Sequence, residues 1–239
     1  MKHALVTGGS GDIGSSICQL LADDGFHIIV HANNNPEKAK ALVEAIIASK
    51  GSAEVTQFDV TDAEASRVVL EGLIKENPVQ VLVNNAGIHH DAVMAGMTQD
   101  QWREVIDVNL NGFFNVSQPL LLPMLRTRWG RIINISSVAA VGGNRGQVNY
   151  AASKAGLHGA TRSLAQEAAT RGVTVNAIAP GIIKGAMAST SFDDKTIKAL
   201  VPMQRAGMPE EVAGVVRFLC SEGAGYISGQ VINVNGGII

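Results

Sequence analysis

The eight residues 7–14, TGGSGDIG, decide how this chain is read. They follow a short β-branched run, HALVT, and open a stretch of helical periodicity over Asp12–Asp24. A glycine-rich turn between a strand and a helix lets backbone approach a phosphate closely, and the helix start adds N–H groups and the positive end of its dipole. Gly8, Ser10, Gly11, Asp12 and Ile13 are therefore candidate cofactor contacts. A glycine pattern alone also describes an ordinary tight turn; its place directly after the first strand is what favours a phosphate cradle. Asp12 is the oddity, because an acid repels a phosphate. At a helix start its carboxylate is expected to accept backbone N–H groups as a cap, which turns its charge partly away.

The same alternation continues outward. Six further strand candidates follow, HIIVHA, AEVTQFD, QVLVNN, GRIINIS, VTVNAIA and VINVN. Helical patterns separate them over Asp12–Asp24, Pro36–Lys50, Asp62–Asn77, Gln99–Arg126, Val148–Arg171 and Pro209–Glu222. Several strands are apolar on both faces, as strands buried between helix layers are. The expected fold is α/β, one Rossmann-type doubly wound domain over residues 1–239, with a seven-stranded parallel sheet flanked by helices. Residues 181–207 lack a strand and read as a mobile lid over a pocket.

Composition narrows the classes. The chain has 239 residues, 46% of them hydrophobic, which suffices for one large core. A net charge of -2 with no basic run argues against a nucleic-acid groove or an anionic membrane surface. No apolar run reaches the roughly 18–20 residues of a membrane span. MKHA leads straight into a strand and leaves no room for a signal peptide. Cys18 and Cys220 lie in apolar helical patterns and read as reduced core thiols of a cytoplasmic protein. The six histidines are scattered, so no metal site is expected.

Chains that bind NAD usually place an acid on the ribose 2′-hydroxyl about 20 residues after the glycine loop. Here that region reads VHANNNPEK, with no acid before Glu37. The gap admits NADP, with His31, Asn33 and Asn34 as candidate contacts to its 2′-phosphate. The asparagines also suit a plain turn before the next helix.

Tyr150 and Lys154 stand four apart in NYAASKAG, on one face of a predicted helix. An ammonium nearby favours the phenolate and lowers the tyrosine's pKa, so that it can give a proton to a carbonyl oxygen or take one back. Ser137, or its neighbour Ser136, ends the strand RIINISS, at the carboxyl edge where α/β sheets keep their chemistry. Asn109 lies inside a predicted helix, as a kink residue or as the holder of a relay water.

Together, TGGSGDIG, NNAG at 84–87, Asn109, Ser137, Tyr150, Lys154 and APG at 179–181 resemble the classical short-chain dehydrogenase/reductase family. Within it, GQVNYAASKAG at 146–156, NNAGIHHDAVMAGM at 84–97 and YISGQVINVNGG are most similar to the 3-oxoacyl-[acyl-carrier-protein] reductases. The resemblance implies Tyr150 as acid, Lys154 on the nicotinamide ribose, Ser137 on the carbonyl and Asn109 on a relay water. It places Asp59 and Val60 at adenine, and Asn85, Ala86, Gly87, Pro180, Gly181, Ile182 and Ile183 along the cofactor. It implies that Arg128 and Arg171 stand near the pocket mouth and dock an acidic acyl carrier protein. Two solvated helix-end arginines are the plainer alternative. A homotetramer is also implied.

Two stretches depart from the family, the glycine loop and the segment after APG. Asp12 replaces the middle glycine of the loop, and Gly11 stands where NADP-dependent relatives often carry arginine. Gly185 replaces a threonine whose hydroxyl meets the cofactor; Ser189 and Thr190 follow it. The reading that results is reduction of a 3-oxoacyl thioester on acyl carrier protein by NADPH, in fatty acid synthesis or a specialised polyketide- or polyene-type pathway. The alternatives are a reductase or dehydrogenase of small free ketones or alcohols and a non-catalytic dinucleotide sensor. His89, His90, Val93, Met94 and Met187 are pocket candidates that do not translate into a chain length.

Overall fold

The computed structural model describes residues 1–185 and 193–239. All seven β-branched runs form strands, and every pairing is parallel. They are β1 (His3–Val6), β2 (His27–Ala32), β3 (Ser52–Gln57), β4 (Val79–Asn84), β5 (Gly130–Ile135), β6 (Val173–Pro180) and β7 (Val231–Val234). Their order across the sheet is β3-β2-β1-β4-β5-β6-β7. The helices are α1 (Asp12–Asp23), α2 (Pro36–Ala48), α3 (Ala63–Glu76), α4 (Gln99–Ile106), α5 (Gly112–Thr127), α6 (Ala139–Gly142), α7 (Val148–Ala168), α8 (Asp194–Leu200) and α9 (Pro209–Cys220).

Successive strand residues point to opposite faces, and both faces are covered. Ala4, Val6, Ile28, Val30, Val81, Val83 and Ile133 enter one core, closed by Ile17 and Leu21 of α1 and Val212 and Val216 of α9. Leu5, Ile29, Leu82, Ile132 and Val175 enter the other, closed by Leu70 of α3, Leu120 and Met124 of α5 and Ala165 of α7. That is why the strands read as apolar without interruption. Strand order reverses between β1 and β4, which opens a crevice beyond their carboxyl ends. TGGSGDIG leaves β1 there and NNAG leaves β4.

Two details differ from expectation. The helix expected over Gln99–Arg126 is interrupted by a π-helical turn, Asp107–Asn111, which carries Asn109 inward. The stretch 181–207 is tied down rather than loose where it is described. Ile183 bridges Gly207 in parallel, Gly207 N–H donates to Ile182 O at 2.9 Å, and α8 covers part of the span. Met187, Ser189 and Thr190 lie outside the described residues. Cys18 and Cys220 are free, buried thiols in the first core, as expected. Burial raises both thiol pKa values, Cys220 to about 12, so neither is a ready nucleophile. No helix among the described residues is long and apolar enough to cross a membrane.

Candidate active site

The glycine loop is shaped by its neighbours. Asn85 donates from Nδ2 to Thr7 O at 2.9 Å and to Gly8 O at 3.0 Å. Thr7 Oγ1 accepts the N–H groups of Asn85 and Ala86 at 2.9 and 3.0 Å, which staples the end of β1 to that of β4. A Cβ at Gly14 would fall on Gly8 O and stand 2.9 Å from Asn85 Nδ2, so only glycine lets α1 start this close to the loop. Gly11 is the N-cap of α1 and offers no side-chain acceptor. The N–H groups of the helix start therefore have no side-chain cap from Gly11, which fits a dinucleotide pyrophosphate.

Asp12 does not cap. It is the first helical residue, and its carboxylate lies against the chain that follows β6. A Cβ at Gly185 would fall on Asp12 Oδ2, and Gly185 has φ +151°. The two departures from the family pattern therefore meet in space: the acid fills room that a side chain at 185 would need.

His31 is corrected as well. It is 2% exposed, and both ring nitrogens are used inside the protein. Gly8 N–H donates to Nδ1 at 3.1 Å, and Nε2–H donates to Phe58 O at 2.9 Å. That pattern fixes the neutral Nε2–H tautomer, and burial lowers the ring's pKa. His31 braces the glycine loop from beneath and cannot reach a 2′-phosphate. Asn33 and Asn34 are exposed beyond β2. Near Asn33 stands Asp59, whose carboxyl is held below the usual range chiefly by the Thr61 N–H, with a smaller effect from the Asn33 side chain. An acid absent from the end of β2 thus arrives from the end of β3. Val60 is buried and accepts Asn115 Nδ2 at 2.9 Å.

The four residues expected to do chemistry converge beyond β4 and β5. Ser137 lies beside Tyr150 and favours its phenolate, while Ser136 Oγ is turned away, donating to Lys154 O at 3.1 Å and meeting His158 Nε2 at 2.7 Å. Geometry so chooses Ser137 over Ser136 as the hydroxyl facing the pocket. Lys154 is 3% exposed and donates from Nζ to Ile135 O at 2.8 Å; Nζ stands 5.9 Å from the Tyr150 ring centroid. Burial lowers the ammonium to about 8. Contrary to expectation, Tyr150 is raised rather than lowered, because desolvation outweighs the Ser137 hydrogen bond, and the Asp91 charge adds to the rise. Gly87 passes over this group: a Cβ there would stand 3.1 Å from both Asn109 Oδ1 and Lys154 Nζ.

Asn109 acts as a staple. Its Nδ2 donates to Ile88 O at 2.9 Å and Ser153 Oγ at 3.0 Å, and its Oδ1 accepts Ile88 N–H at 2.9 Å. Both amide hydrogens are used, so only an Oδ1 lone pair remains for a water. Sequence reasoning passed over Ser153 and Asn149. Asn149 is fully buried, donates to His90 O and Gln101 O at 3.0 Å each, and anchors the start of α7. Its signal was a polar residue beside Tyr150 on the inward face. A buried chain also runs under the site: Asn84 Nδ2 donates to Asn134 Oδ1 at 2.9 Å, and Asn134 Nδ2 to Thr161 Oγ1 at 2.8 Å.

Pro180 ends β6, and Gly181 N–H donates to Val234 O at 2.9 Å, so the segment through Ile182 and Ile183 leaves the sheet at its carboxyl edge. Arg128 and Arg171 do not stand at the pocket mouth of their own chain. Arg128 ends α5 just before β5, and Arg171 lies just before β6. Ser137 and Pro180 lie at the other ends of those strands. Six residues of β5 separate the two edges, roughly 20 Å at about 3.3 Å per residue.

Comparison with known proteins agrees with this architecture. Residues 2–196 match the family described as short chain dehydrogenase. Nodulation protein G of Azospirillum brasilense is 45% identical over 99% of this chain and 98% of its own length. The 3-oxoacyl-[acyl-carrier-protein] reductase FabG of Staphylococcus aureus is 44% identical, with the same coverage. The 3-oxoacyl-[acyl-carrier-protein] reductase of Synechocystis is 44% identical over 99% of this chain and 96% of its own. With the crevice at the switch point, the glycine loop and the Ser137–Tyr150–Lys154 group in one sheet edge, the chain belongs to the short-chain dehydrogenase family of oxidoreductases.

Proposed function

We propose that this protein reduces the 3-oxo group of an acyl thioester, carried by acyl carrier protein, with NADPH. The observation that carries the reading is the placement of Ser137 beside Tyr150, with the buried Lys154 Nζ 5.9 Å from the tyrosine ring centroid. Two full-length relatives named as 3-oxoacyl-[acyl-carrier-protein] reductases support the substrate class. Exposed Asn33 and Asn34 at the end of β2, amides that can donate to a 2′-phosphate, support NADPH.

The bound dinucleotide supplies a hydride to the ketone carbon. The protein's own residues handle the rest. The glycine loop and the start of α1 would hold the pyrophosphate. Ser137 and Tyr150 hold the ketone oxygen with two hydroxyls. Burial keeps Tyr150 protonated in neutral solution, and it gives that proton to the oxygen as charge develops there. The Lys154 ammonium, close beneath, stabilises the phenolate left behind. Gly87 and the 180–183 segment would flank the nicotinamide when the dinucleotide is bound. We place the enzyme in the cytoplasm as a homotetramer; exposed Phe114 and Leu122 on α5 suit a helix that packs on another copy.

The placement of Arg128 and Arg171 favours a second reading, a reductase of small free ketones that needs no carrier. Initial rates with NADPH and NADH on one 3-oxoacyl thioester, carrier-bound and free, separate these. The main reading expects NADPH to be preferred and the carrier form to have the lower KM. Equal KM values support the second, and no turnover leaves a dinucleotide-binding protein without this activity.

A further inference from the structure

The loop that leaves β4 places a histidine–carboxylate pair against Tyr150. His89 Nδ1 lies 3.0 Å from Asp91 Oδ1. An ionised carboxylate only accepts, so Nδ1 carries the proton. Gln147 Nε2 donates to both oxygens of the same carboxylate, at 3.0 and 3.1 Å. The loop is fixed on each side: Ala92 N–H donates to Gly146 O at 2.8 Å, and Asn149 Nδ2 to His90 O at 3.0 Å. His89 thus stands in a built setting, edge-on to Tyr150, with ring centroids 6.3 Å apart and planes at 77°. Its side chain is 34% exposed, and among the described residues Nε2 has no partner.

A packing role does not need a polar ring held by a carboxylate that is itself held by a glutamine. What the arrangement leaves is one remaining polar nitrogen on a ring that stands edge-on to Tyr150. We propose that His89 is a substrate-contacting specificity residue that takes the second carbonyl oxygen of a 1,3-dicarbonyl substrate. In its imidazolium form the ring donates Nε2–H to that oxygen while Asp91 holds Nδ1–H. The ketone two carbons away then meets Tyr150 and Ser137. This rests on the reductase reading above and sharpens it: the enzyme distinguishes a 3-oxoacyl thioester from a simple ketone at His89.

The test compares two substrates in the intact enzyme with NADPH. One is the acetoacetyl thioester of N-acetylcysteamine, and the other is its monoketone analogue, with a methylene in place of the thioester carbonyl. His89→Leu should lower kcat/KM for the dicarbonyl about tenfold more than for the monoketone, the loss of one hydrogen bond to a charged donor. His89→Gln keeps a donor and should recover part of that difference. NADPH affinity, read by its fluorescence, should match the unaltered protein in both variants. Equal losses on the two substrates, or no loss, overturn the role of His89 while leaving the reductase reading intact. No turnover of either substrate by the unaltered protein overturns both.

Discussion

Asp12 and Gly185 share one space: the carboxylate at the start of α1 lies where any side chain at position 185 would have to go. An acid in the phosphate loop and a glycine in the segment after β6 are thus one structural change. Gly185→Ala should weaken NADPH binding or stability by about 1–3 kcal/mol, the usual scale of overpacking. Asp12→Gly alone should tighten NADPH, because it removes a charge that opposes the pyrophosphate. The double variant should recover most of the Gly185→Ala loss, short of full recovery because φ +151° suits glycine. Fluorescence titration of the four proteins checks this as a cycle. Additive effects would show that the two residues act separately.

His31 links the glycine loop to the ends of β2 and β3, and its removal leaves Gly8 N–H without its acceptor. His31→Ala should cost about 1–3 kcal/mol in denaturant unfolding, the scale of an unmet buried donor. There is also an acid signature. The folded-state pKa is lowered, so the fold favours the neutral ring. The stability this gives is complete above the unfolded value of 6.5 and is lost as pH falls through the folded one. Unfolding free energies from pH 7 to 5 should fall more steeply for the unaltered chain than for His31→Asn. Parallel curves would remove His31 from the account.

These two residues also show where sequence reading stopped. Strand number and parallel pairing were legible, because apolar runs and glycine turns are local signals. The Ser137–Tyr150–Lys154 group was legible from spacing on one helix and one strand end. The role of His31 was not: its partners, Gly8 and Phe58, are 23 and 27 residues away, and only the parallel sheet joins them. Asp12 was misread for the same reason, since a cap is a local expectation and Gly185 is a distant neighbour. The position of Arg128 and Arg171 at the far sheet edge depends on where α5 and α7 end, which no motif records.

Lys154 gives a pH dependence with a definite sign. Its ammonium is present below about 8 and is lost above, while burial holds the Tyr150 proton on through that range. Ketone reduction should therefore decline as pH rises past 8. Lys154→Arg keeps its charge at every such pH. The variant should be slower throughout, with the decline displaced to higher pH. An unchanged decline in the arginine variant would assign it to another group.

The central claim is that Tyr150 delivers the proton. Its most direct test is the steady-state rate of Tyr150→Phe with NADPH and a 3-oxoacyl thioester, beside the dissociation constant for NADPH. The account predicts a loss of kcat of about 10²–10⁴-fold with NADPH binding retained. A variant that turns over at the rate of the unaltered enzyme would contradict it.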